Sequence, residues 1–119
     1  MTETAWAHLP NAAVIDEMLA DIAARPQAWT AAWAIMMKAG LVHTWEVALG
    51  KAMSIRGNLW REVPIDVRDV VAALVTWPSS ADLLSLTPDA LRTIIATCDG
   101  DVKHQAVLLL PAVIARSTV

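Results

Sequence analysis

An all-α fold, a compact bundle of five to seven helices with a Pro-kinked C-terminal helix, follows from three observations on the 119-residue chain. Apolar residues recur at three- and four-residue spacing, helix-capping residues and prolines punctuate the periodic segments, and no stretch alternates apolar with polar at the period of a strand. Alanine supplies 22 residues of the 56% apolar fraction, which adds helix propensity and little area per side chain.

The first helix is predicted over 11–24, where Val14, Ile15, Met18, Leu19 and Ile22 share one face and Asp16, Glu17 and Asp21 fall elsewhere on the wheel. Asn11 is its expected N-cap, and Pro26 stops it near Arg25. Pro26 then suits the first position of a second helix, whose Trp29, Trp33 and Met37 recur every four residues among Ala28, Ala31, Ala32 and Ala34. Gly40, after Lys38, is its stop. From Leu41 to Ile55 the pattern resumes, with Trp45, Leu49 and Met53 on one line and Leu41, Ala48, Ala52 and Ile55 beside it. This is a third helix or a bent continuation of the second.

Gly57 and Asn58 mark a loop carrying Leu59 and Trp60, and Pro64 with Asp66 opens a fourth helix holding Val67, Val70, Val71, Leu74 and Val75. Those β-branched residues would suit a strand, but their spacing is helical and an isolated strand has no partner here. Trp77, Pro78 and two serines end the element, and Ser80 can cap a short turn through Asp82, Leu83 and Leu84. Thr87, Pro88 and Asp89 combine a hydroxyl cap, a proline at the first position and an acid at the positive helix end. The helix they open presents Leu91, Ile94, Ile95 and Cys98 to the core, and Gly100 closes it. Asp101 can cap the last helix, apolar nearly all round from Val107 to Ile114, with Pro111 kinking it or splitting it in two. No linker or low-complexity tract divides the chain, so residues 1–119 read as one domain.

The apolar run from Ala106 to Ala115 is about ten residues, half of what crosses a bilayer, and 1–10 lacks the basic start and long apolar core of a secretory signal. The expected location is therefore the cytoplasm, with no membrane association. One cysteine, Cys98, makes neither an internal disulfide nor a thiolate metal site and reads as a small buried hydrophobe. A formal charge of −3 argues against nucleic acid as a partner, because phosphate contacts need a basic face.

Leu9, Pro10, Asn11 and Ala12, followed by Trp29, Thr30, Ala31, Ala32 and Trp33, resemble a loose group of small Ala- and Trp-rich phage and prophage proteins. The runs Asp82–Leu84, Pro88–Leu91 and Leu108–Ile114 extend the resemblance over most of the chain. Apolar residues from Ala34 to His43 replace the charged repeats of that group. The resemblance implies a phage origin, with the host cytoplasm as the place of action, and carries over no site residues.

Catalysis ranks last among the functional readings, with no catalytic residue, metal or cofactor assigned. His43 and Glu46 share a helix face at the spacing of a metal or acid–base pair, yet a solvated pair explains them, and His8 and His104 lie in segments the pattern does not bring near. Asp99, Asp101 and His104 crowd a helix start, where acids are expected for capping alone. Gly50 and Lys51 lack the hydroxyl residue and upstream glycine of a phosphate loop.

Two features point to binding. The first is a self-association surface built on Trp29, Trp33, Met36 and Met37, because six tryptophans at roughly 150–250 Å² each are a large apolar area for a short bundle to enclose. The leading reading is thus a homo-oligomeric interaction protein binding a host protein or other host component. The second is a basic segment, in which Lys38, Lys51, Arg56 and Arg61 outnumber Glu46 within an acidic chain. Lys51, Arg56, Trp60 and Arg61 would there hold a small anionic ligand such as a nucleotide, with guanidinium forks and an aromatic face around Gly57 and Asn58.

Overall fold

In the computed structural model, residues 11–56, 68–77 and 79–117 are described, and they contain seven helices and no strand. These are α1 (Ala12–Ala24), α2 (Pro26–Lys38), α3 (Val42–Arg56), α4 (Arg68–Thr76), α5 (Ser80–Leu83), α6 (Pro88–Thr97) and α7 (Asp101–Ser117). The Cα radius of gyration is 13.3 Å, the compactness of a globular chain near this length, about 13 Å for 100 residues.

The most apolar helix lies in the middle. Every residue of α7 from 105 to 115 is buried, and α2, α3, α4, α5 and α6 all pack against it. Pro111 does not split it, and α7 runs unbroken from Asp101 to Ser117. An interior proline removes one donor from the backbone ladder and its ring crowds the carbonyl four residues back, and a helix held by neighbours on several sides can carry that cost of about 3 kcal/mol. α1 packs on α2 and α4 at the outside of this group. Ile15 and Met18 are its buried face, with Val14, Leu19 and Ile22 half-buried against the core.

Three buried hydrogen bonds lock helices together away from their own ladders. Asn11 is the cap residue of α1 by position, but its side chain does not cap. Its amide instead donates to the Leu74 carbonyl of α4 at 3.0 Å. Thr76 Oγ1 donates to the Ala52 carbonyl of α3 at 3.3 Å, and Ser80 Oγ to Gln105 Oε1 of α7 at 2.8 Å.

The helix joints follow local chemistry. Between α2 and α3, Gly40 adopts φ +72°, its amide donates to the Met37 carbonyl, and the Leu41 amide donates to Met36. This pair of hydrogen bonds around a left-handed residue is a Schellman turn, and it makes α2 and α3 separate helices. Thr87 caps α6 by accepting from the Ala90 amide at 3.1 Å. Asp101 occupies the first turn of α7 without being its cap. Gly100, also left-handed, offers the carbonyl that takes the His104 amide. Cys98 is the C-cap of α6, half-buried with an extended backbone, so it sits beside the core and not within it.

Candidate functional site

The α2–α3 turn and the facing ends of α6 and α7 enclose an open groove of about 650 Å³. The sequence Met36–Met37–Lys38–Ala39–Gly40–Leu41 builds one wall. The Schellman turn stops α2 at Lys38 and starts α3 at Val42, so that Ile35, Lys38, Ala39, Leu41 and Thr44 line the same opening. The other wall comes from α6, whose inward Leu91 and Ile95 turn Arg92 and Ala96 to its flank, and from Lys103 in the first turns of α7. The floor is aliphatic, with Ile95 buried, Leu41 half-buried and Ile35 37% exposed.

Three cations, Lys38, Arg92 and Lys103, stand around that floor, and no acidic side chain lines it. None of the three makes an ion pair among the described residues, where Arg25–Asp21 and Lys51–Asp101 are the pairs formed. The residue before α3 is Leu41, which has no polar atom with which to cap a helix, and the first turn of α3 contains no acid. Its opening N–H groups therefore add positive potential to the same groove. A chain of net charge −3 thus gathers three cations on apolar ground.

Of the side chains expected to bind an anion, Lys51 is described and is held in an ion pair. Lys51 Nζ lies 2.8 Å from Asp101 Oδ1 across the α3–α7 contact. That hydrogen bond holds the Asp101 carboxyl below its ordinary 3.8, with Coulomb attraction to Lys51 and His104 adding to it. Arg56 is the last residue of α3, while Trp60 and Arg61 lie outside the described residues. The beginning of the fourth helix near Pro64 and Asp66 lies outside them as well.

Of the side chains expected on a self-association surface, Trp29 and Met36 are buried in the core, Trp33 is half-buried, and Met37 is 67% exposed. Counting in fours misplaced the stripe. At about 100° per residue, Met37 is rotated roughly 80° from Trp29, and the inward set is Trp29, Ala32 and Met36. Trp29 Nε1 donates to Asp21 Oδ2 at 2.9 Å, and the same carboxylate takes both arms of the Arg25 fork at 2.9 and 3.0 Å. Trp33 meets Trp45 edge to face at 4.7 Å. A smaller notch at the α1–α2 joint is lined by Ile22, Pro26, Trp29, Thr30 and Trp33.

His43 and Glu46 are both exposed on α3, and no group of three metal-ligating side chains forms among the described residues. His104 Nδ1 and Trp45 Nε1 are buried without a hydrogen-bond partner. Burial, joined by repulsion from Lys51 and Lys103, keeps the His104 pKa below its ordinary 6.5 against the pull of Asp101. No described helix is long and apolar enough to cross a membrane.

Fold and site together define a helical bundle with a cation-rimmed apolar groove at one edge. No protein-family model, curated protein or solved structure matches the chain.

Proposed function

We propose that this protein is a small helical binding module that acts without covalent chemistry, and that the groove between α2, α3, α6 and α7 receives a negatively charged partner. One observation carries the reading: Lys38, Arg92 and Lys103 converge around aliphatic side chains with no acid among them. Unpaired cations on weakly hydrated ground hold a counter-charge better than cations dispersed in water, and the binding weakens as salt screens it. The reading keeps the anion-binding function expected from the basic segment and moves it from the Arg56–Arg61 loop to the other end of α3.

A thermal-shift series with organic carboxylates, phosphate esters and nucleotides tests it. An anion present at about 100 times its dissociation constant stabilises the fold by about 2.7 kcal/mol. The shift should shrink between low and high salt and fall to about half in Lys38→Glu, as a tenfold loss of affinity requires. A screen in which no anion stabilises the wild type rejects the reading.

Self-association is the second reading, favoured by Ile35 and Met37, two exposed aliphatic side chains on α2. The resemblance to phage proteins supports a phage origin and a host component as the partner. Light scattering on a sizing column separates a monomer from an oligomer at micromolar concentration.

A further inference from the structure

The geometry points to a small amphipathic organic anion, an acidic head on an apolar body, as the occupant of the groove. This rests on the anion-binding reading above and adds the class of ligand. Two properties of the groove select the class. Its cations are spread over three helices around an aliphatic floor formed by Ile35, Leu41 and Ile95, so a head that reaches the rim leaves its tail on Ile35 and Leu41. A multiply charged nucleotide would also set polar sugar atoms against the aliphatic side chains of Ile35, Leu41 and Ile95, which offer them no hydrogen bond. The volume of about 650 Å³ lies within the range of small-molecule sites, roughly 300–1,000 Å³.

The test is a calorimetric titration of the whole chain with hexanoate, octanoate and decanoate below their micelle concentrations, with decanol, inorganic phosphate and an adenine nucleotide as comparisons. Each added methylene buried on the floor should tighten binding by about fourfold, from about 0.8 kcal/mol per methylene. Decanol should bind more weakly than decanoate. Lys38→Glu and Arg92→Glu, at exposed positions, should each weaken decanoate by about tenfold, and Ile35→Gln should flatten the chain-length dependence. Circular dichroism of the variants confirms that their helices persist.

Phosphate or nucleotide binding as tightly as decanoate, with no chain-length dependence, overturns the ligand class and leaves the anion-binding reading standing. Decanol binding as tightly as decanoate overturns both, as does the absence of binding by every compound.

Discussion

A few side chains decide how this chain joins its helices, and Asp21 is the clearest. Its carboxylate accepts from the Arg25 fork and from the Trp29 indole, so it ties the end of α1 to the first turn of α2. Trp29 is 5% exposed, and an indole N–H buried without its acceptor costs about 1–3 kcal/mol. Asp21→Ala should therefore destabilise by about that amount in urea unfolding, and by clearly less when Trp29→Phe is already present. Equal losses in both backgrounds would mean that the indole bond contributes nothing. In the first turns of α7, His104 sets a pH dependence. With a folded pKa held below 6.5 by burial, the folded state binds fewer protons than the unfolded chain between its own pKa and 6.5. Stability is thus full above that window and falls as pH drops through it. The histidine ring resonances of His104 should titrate with a midpoint below 6.5, and His104→Gln should reduce the stability lost between about pH 7.5 and 5.5. Asp101 acts in a lower window. Its pKa is depressed by the Lys51 hydrogen bond, so its contribution is present above 3.8 and is lost as pH falls through the depressed value. Lys51→Met should remove that acid-sensitive component from the unfolding profile.

At the scale of the element, starts and stops were legible because they are written in backbone chemistry. Pro26, Gly40 and the Thr87–Pro88–Asp89 run each act on the residues beside them, so their effect does not depend on which helix packs where. Thr87→Ala should cost about 1 kcal/mol by removing the hydroxyl that accepts from Ala90. Gly40→Ala should cost about 1–2 kcal/mol, although nothing lies within 4 Å of the added methyl, because φ +72° is strained for any residue with a Cβ. A neutral result in equilibrium unfolding would show that the turn relaxes to another conformation. The inward face was legible in α1 and α6 and less so in α2 and α3. Size suggests that Trp45, Leu49 and Met53 bury deepest in α3, yet Ala48 and Ala52 are the fully buried ones and the larger residues flank them. Close approach explains the inversion. The hydrogen bond from Thr76 to the Ala52 carbonyl brings α4 against the α3 backbone itself, and only small side chains leave room for that. A residue's tendency to bury was readable from one helix, whereas the clearance between two helices was not.

Over the whole molecule, α7 organises the rest, and its Leu108, Leu109 and Leu110 are entirely buried. Leu109→Ala should lower stability by about 2–5 kcal/mol, a large part of the 5–15 kcal/mol that typically holds a domain folded. The candidate site belongs to this scale too, which is why the sequence disclosed only part of it. Lys38 fell within the basic segment, but Arg92 and Lys103 stand alone in their own segments and become a set only when α6 and α7 fold against the α2–α3 turn. Lys51, by contrast, contributed to the apparent basic excess in sequence and is engaged by Asp101 in the fold. Charge counted along a chain differs from charge counted around a groove, and binding responds to the second. The most direct measurement is therefore a map of where an organic anion lands, by amide chemical shifts in a titration of labelled protein with octanoate. Salt-sensitive shifts should cluster at 35–44, 92–96 and around Lys103, with the early amides of α3 among the largest. Shifts confined to the segment around Arg56 and Arg61, or scattered over the surface without saturation, would contradict the account.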